Sequence, residues 1–240
     1  MSQPAELRPI NTSPPPWSLS IEFVSLQDMP RKNFFCDPLT PYHLTARSNN
    51  RESFPICSQQ MWEVFSSYLF FIHHAYAVKI HSFVLMKNHF HLIASFPEAN
   101  LSESMGYFMR ETSKVTATYS NRINHIYGTR IFRSRLGSYH YYLNAYKYVF
   151  QNPVRALNCD KVEQYPFSTL SATLGQTHSI IPLVEDSLLI DDPEQTLRWI
   201  NTKISKENLQ AIQSGLKKFD FKLPRCSKTN RAHSLETSLI

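Results

Sequence analysis

His89 and His91 stand two residues apart inside the apolar run Val84-Leu85-Met86-Lys87-Asn88-His89-Phe90-His91-Leu92-Ile93. Side chains at i and i+2 leave the same face of a strand, so the two imidazoles can chelate one cation while Phe90 turns toward a core. About sixty residues downstream, Tyr146, Tyr148, Gln151 and Asn152 precede Pro153. Tyr148 and Asn152 are four apart, hence neighbours on one helical face. A phenol and an amide oxygen facing the imidazoles would give two nitrogens and one oxygen around a cation, with a nucleophile beside it. Free tyrosine, with a pKa near 10, is a poor nucleophile at neutral pH. A cation that polarises a phosphate oxygen makes phosphorus more electrophilic and offsets transition-state charge. In a chain with ten histidines and twelve tyrosines, neither the pair nor the phenol is telling singly. Their combination is.

The elements that must position these groups follow from periodicity and breakers. Tyr42 to Arg47 reads as a first core strand, after a short candidate strand over 21–24. Ser58 can cap a helix whose Trp62, Phe65, Leu69 and Ile72 recur at three- and four-residue steps, ending near His74. Val78 to Met86 and His89 to Phe96 make two strands joined at Lys87-Asn88. Asn100 with Glu103 resembles a capping box opening a long helix, with Leu101, Met105, Phe108, Thr112, Val115, Tyr119 and Ile123 along one face. Ile131 to Tyr139 reads as a strand, and a helix over about 142–151 stops before Pro153. A β-α-β-β-α-β order predicts an α+β fold: a ferredoxin-like antiparallel sheet with helices on one face. The other face is free for a groove-shaped site.

The Pro-rich, polar residues 1–17 predict a disordered leader, residues 18–170 a catalytic domain, 171–223 a small helical extension, and 224–240 a basic disordered tail. In the extension, Asp192-Pro193 opens one helix and Lys206 to Lys217 a second.

At 240 residues the chain is long enough for a full core. Its formal charge of +6 and pI near 9.1 favour a polyanionic partner. Between Gly106 and Tyr165 nine Lys or Arg face three acids, so the whole excess falls in this segment. Arg130, Arg133 and Arg135 lie along one strand, and Arg110 and Lys114 sit one helical turn apart, a spacing suited to phosphates. Phe132, Tyr139, Tyr141 and Tyr142 are candidates for stacking on bases. Cys36, Cys57, Cys159 and Cys226 form no Cys-x-x-Cys pair and predict reduced thiols. With neither a signal peptide nor an apolar run of eighteen, the sequence predicts a cytoplasmic, nucleoid-associated protein with no membrane partner. No Gly-x-x-x-x-Gly-Lys loop is present, so no nucleotide cofactor is expected.

These residues resemble the single-tyrosine HUH transposases of the IS200-like type, and among them the REP-associated tyrosine transposases. His89-Phe90-His91 matches the His-hydrophobic-His motif, and Tyr148 with Asn152-Pro153-Val154-Arg155-Ala156 is similar to the tyrosine helix. Ala46-Arg47-Ser48-Asn49-Asn50-Arg51, Val84-Leu85-Met86-Lys87-Asn88 and Tyr165-Pro166-Phe167-Ser168 extend the similarity over about 130 residues. Lys87 departs from the family, which usually has proline there. The resemblance implies a metal-dependent strand transferase acting on single-stranded DNA beside a hairpin. It implies that His89, His91 and Asn152 hold Mg²⁺ or Mn²⁺, with Gln151 the alternative third ligand, and that Tyr148 forms a 5′-phosphotyrosine link. Gln151 points about 100° away from Asn152 on an ideal helix, which favours Asn152. Arg47, Asn49, Lys87 and Arg155 join the expected DNA contacts, and both a monomer and a homodimer are compatible. Two rival functions fit the same residues: a hairpin DNA or RNA module that does not cut, and a metal-dependent nuclease using water.

Overall fold

The computed structural model describes residues 34–185, 191–225 and 230–236. The expected leader, the candidate strand over 21–24 and Cys226 lie outside the described residues. Strand β1 (Tyr42–Arg47) leads to helix α1 (Ser58–Tyr76), then β2 (Lys79–Leu85), β3 (His89–Ser95), α2 (Leu101–Ser120) and β4 (Phe132–Arg135). The strands form one antiparallel sheet in the order β2-β3-β1-β4, the arrangement expected of a β-α-β-β-α-β chain.

Strand parity sorts the side chains. Leu44 and Ala46, Phe83 and Leu85, and Phe90 and Leu92 pack with Phe65, Leu69, Ile72, Met105 and Phe108 of α1 and α2 in one buried cluster. Val84 and Ile93 point the other way, into a second cluster with Tyr142, Leu143, Tyr146, Val149 and Phe150. That second face is covered by α3 (Tyr139–Arg155), so α1 and α2 share one face and the tyrosine helix forms a third layer.

Several boundaries differ from the sequence reading. Cys57, not Ser58, is the N-cap of α1, and no side chain caps that helix. Asn100 likewise makes no cap bond, and its amide instead donates to the Tyr76 carbonyl at 2.9 Å, tying the start of α2 to the end of α1. α2 stops at Asn121, which takes a left-handed φ of 50°, so Ile123 falls outside it. β4 is four residues long, because Ser138 caps α3 by accepting the Tyr141 N–H at 3.2 Å. α3 also runs through Pro153 to Arg155 instead of stopping before it. Pro153 lacks the N–H that the Val149 carbonyl would accept in a regular helix. The Asn152 side chain takes its place, donating to the Val149 oxygen at 3.3 Å and to the Tyr148 oxygen at 2.9 Å.

The remaining chain wraps the same body. After α4 (Leu170–Thr173), α5 (Pro193–Asn201) and α6 (Lys206–Gly215) are capped by Asp192 and Ser205. Ile200, Ile212, Leu216 and Phe221 join the cluster under α3, so these helices continue the core rather than hang from it. The expectation of a disordered tail is corrected over 230–236. Leu235 is buried in that cluster, its carbonyl accepts from the Asn144 amide at 3.3 Å, and Tyr141 donates to Glu236. Both sheet edges are also covered: Leu85 N–H donates to Phe167 and Arg135 N–H to Phe219. Among the described residues, no helix is long and apolar enough to cross a membrane.

Candidate active site

The antiparallel register places His91 opposite Thr45 and His89 opposite Arg47, all on the α3 face of the sheet. His43 shares this face, because it pairs with Ile93 of the second cluster. Its Nε2 lies 2.9 Å from His91 Nδ1, and the two rings stack with centroids 5.1 Å apart. The Tyr148 ring meets His91 edge-on at 5.7 Å and His43 at 6.4 Å, while the His89 ring lies 5.0 Å from that of His91. The sheet and α3 thus bring both expected imidazoles and the expected nucleophile into one cluster.

Hydrogen bonds fix which ring nitrogens are spent. The Asn88 amide donates to the Arg51 carbonyl at 2.6 Å, which turns its Oδ1 toward His89 Nδ1, 2.7 Å away. His89 Nδ1 must then carry the proton, and Nε2 keeps a lone pair. His91 Nδ1 is engaged by His43, and its Nε2 is buried with no hydrogen-bond partner. A buried nitrogen without a partner is costly, and a cation is the kind of group that would satisfy it. Burial keeps the imidazoles neutral: it lowers the pKa of His89 to about 4 and of His43 to about 3. For His91, burial first and then its neighbours His43, His89, Arg155 and Arg47 hold the value well below that of a free histidine. Neutral imidazoles with free Nε2 lone pairs are the form that binds metal.

Among the described residues no group of three His, Cys, Asp or Glu is placed to hold a metal ion together, and the expected third ligand is an amide oxygen. Asn152 stands one turn beyond Tyr148, and its Oδ1 accepts from Arg155 Nη2 at 2.6 Å. An amide oxygen has two lone pairs, so this bond leaves one for a cation. Gln151, the alternative ligand, has its amide nitrogen engaged on the far side of the helix. Its amide is buried and donates to the carbonyls of Ile200 at 2.6 Å and Thr202 at 2.8 Å, tying α3 to α5.

The expected DNA contacts divide. Arg47 and Lys87 are exposed at the His89 end of the sheet, with Asn49 part-exposed in the adjoining turn, and Arg155 lies over the Tyr148 ring at 4.3 Å. Arg133 pairs with Leu44 and Arg135 with Tyr42, so both belong to the opposite, α2 face. Arg110, Arg130 and Arg133 line a cavity of about 690 Å³ between α2 and the start of β4, with Leu101, Met105 and Met109 among its apolar walls. Arg110 and Lys114 both pair with Glu111, and Arg135 is held by Asp37 and Asp220. The candidate stacking aromatics each contact a neighbouring ring, Phe132 that of Phe219, Tyr139 that of Tyr142 and Tyr141 that of Phe221, with Tyr139 itself still exposed.

His43 is the residue that sequence reasoning missed. Its only signal was a polar residue in an apolar strand, and its relation to His91 required the β1–β3 register.

Residues 38–151 match the family described as "Transposase IS200 like". This segment is a domain of the IS200-like transposase family. A solved structure titled "Structure of the REP associates tyrosine transposase bound to a REP hairpin" superposes with a TM-score of 0.51 at 19% identity, covering 64% of this chain and 90% of that one. At that identity the likeness speaks for the fold. A search of the curated proteins finds no match.

Proposed function

We propose that this IS200-like transposase domain cuts and rejoins single-stranded DNA beside a hairpin through a 5′-phosphotyrosine link at Tyr148. The observation that carries the reading is the Tyr148 ring set against His91, whose Nε2 is buried without a partner. The family membership and a similar fold solved with a hairpin support it.

His89 and His91 would hold Mg²⁺ or Mn²⁺ through Nε2, with Asn152 Oδ1 as third protein ligand. Such a cation supplies charge stabilisation at a phosphate oxygen. The chain's own residues do the rest. Tyr148 Oη forms a bond to phosphorus, the P–O3′ bond breaks, the phenol proton passes to water, and the leaving 3′ oxygen takes up a proton. The phosphodiester energy is kept in the tyrosine link, so rejoining reverses the step without a nucleotide. His43 fixes the ring of His91, and Asn88 that of His89, as outer partners of metal-bound imidazoles do. Arg47 and Lys87 offer charge to the strand near the site.

The test is a denaturing gel of purified protein with end-labelled single strands carrying the hairpins beside its own gene, with Mn²⁺. Wild type should give a protein-linked band that requires the metal, and Tyr148→Phe and His91→Ala should give none. Metal-dependent cleavage that survives Tyr148→Phe would replace this reading with a water-activated nuclease. Binding without cleavage in wild type would replace it with a hairpin-binding module.

A further inference from the structure

Arg155 closes the last turn of α3, seven residues after Tyr148. Its guanidinium lies over the Tyr148 ring, 4.3 Å from carbon to centroid, and its Nη2 donates to Asn152 Oδ1. Its Nη1 is buried and has no hydrogen-bond partner. A guanidinium is charged throughout the physiological range, so Nη1 is a donor nitrogen of a cation held out of water with no hydrogen-bond acceptor of its own. Leaving such a group unpaired is expensive, and sites that keep one usually do so for an anionic ligand. Among the described residues no carboxylate pairs with it, and the side-chain oxygens that serve it are those of Asn152 and Tyr148. The residue as a whole is part-exposed, so a strand can reach it.

We propose that Arg155 is a further catalytic residue, whose unpaired Nη1 binds a non-bridging oxygen of the phosphate attacked by Tyr148. The inference rests on the phosphotyrosine reading above. It assigns to one side chain three tasks that the geometry joins: packing the nucleophile's ring, holding Asn152, and countering charge at phosphorus. A planar guanidinium can do these together because its donors point along fixed, divergent directions. No bond to Arg155 forms or breaks, and its proton stays in place.

The test compares two strands of the same sequence, one with the natural phosphate at the cleaved position and one with a methylphosphonate, which removes the non-bridging charge. Wild type, Arg155→Ala and Arg155→Lys are measured in single-turnover formation of the protein–DNA link, with melting temperature and Mn²⁺ affinity as controls for fold and metal. On the natural strand Arg155→Ala should slow linkage by about 10²–10³-fold, the usual cost of one oxyanion donor, and Arg155→Lys by less. On the methylphosphonate strand both variants should lie within about threefold of wild type, since there is little charge left to counter. An equal loss on both strands would make Arg155 a packing residue only, and no loss on the natural strand would remove it from the reaction. If Arg155→Ala fails to fold, Arg155→Lys alone decides by the same ratio. Failure of the parent reading looks different: wild type would then form no link with the natural strand, and the phosphate role of Arg155 would fall with it.

Discussion

The two faces of the one sheet are built by opposite rules. On the α1/α2 face, Leu44, Phe83, Phe90 and Leu92 meet Phe65, Leu69 and Phe108, and the buried hydroxyls of Ser66, Ser104, Thr112 and Thr116 are carried by the helices and not by the strands. On the α3 face, the same strands present His43, Ser82, His91 and Ser134, all buried, against a helix that buries Asn144, Lys147, Gln151 and Asn152. Burying polar groups costs stability unless each finds a partner, and here His43 Nδ1, His91 Nε2, Ser82 Oγ, Ser134 Oγ and Asn144 Oδ1 find none. One face maximises burial and the other sacrifices some of it. The α1/α2 face holds the fold together by apolar burial, while the α3 face carries the polar groups on which the proposed chemistry depends, with Tyr148 brought to them by the helix that covers it.

Variants can break or sharpen this contrast. The largest effect belongs to the α1/α2 face: Phe90→Ala should cost about 3–5 kcal/mol, read from urea unfolding, because it empties the space between Phe65, Phe83 and Phe108. A loss under about 1 kcal/mol would mean this cluster is not the anchor. Next comes His43→Phe, which keeps a ring but removes the acceptor for His91. It should weaken Mn²⁺ by roughly 10–100-fold in a calorimetric titration while leaving unfolding in neutral buffer nearly unchanged. The same variant should blunt the acid response. His43 and His89, with pKa values lowered to about 3 and about 4, stay neutral in the folded protein while the unfolded chain protonates near pH 6.5. Below that pH the unfolded state binds more protons, so stability falls from about pH 6.5 toward pH 4, and less steeply in His43→Phe. The smallest effect should follow Arg135→Ala, on the α2 face and already held by Asp37 and Asp220: no more than about 1 kcal/mol, with DNA affinity unchanged in a filter-binding assay. A clear loss of DNA affinity would return Arg135 to the nucleic-acid surface.

Much of this was legible in the sequence because the two periods that carry it are local. Alternation in Tyr42–Arg47 and His89–Ser95 and the three-and-four spacing of Phe65, Leu69 and Ile72 predict the strands, α1 and the side on which Phe90 lies. Spacing and the ordered motifs around them single out His89, His91, Tyr148 and Asn152 as candidates, and the fold brings the rings of the first three together. What was hidden is tertiary. Nothing local says that Arg133 pairs with Leu44 and so faces away from His91. Gln151 and Asn152 are chemically alike, and only the position of α5 shows Gln151 clamped to Ile200 and Thr202. The helix end was misplaced for a physical reason as well: Asn152 supplies the hydrogen bond that Pro153 cannot, so the proline is tolerated in the last turn. Leu235 reads as one apolar residue in a basic tail until the groove beside Asn144 is in view.

The most direct measurement is peptide mapping by mass spectrometry of the protein trapped on a single-stranded hairpin substrate in the presence of Mn²⁺. The account predicts a nucleotide mass carried by the peptide containing Tyr148, on that residue and on none of the neighbouring tyrosines of α3. A nucleotide on Tyr146 or Tyr142, both packed into the core under the helix, or cleaved DNA with no modified peptide at all, would contradict it.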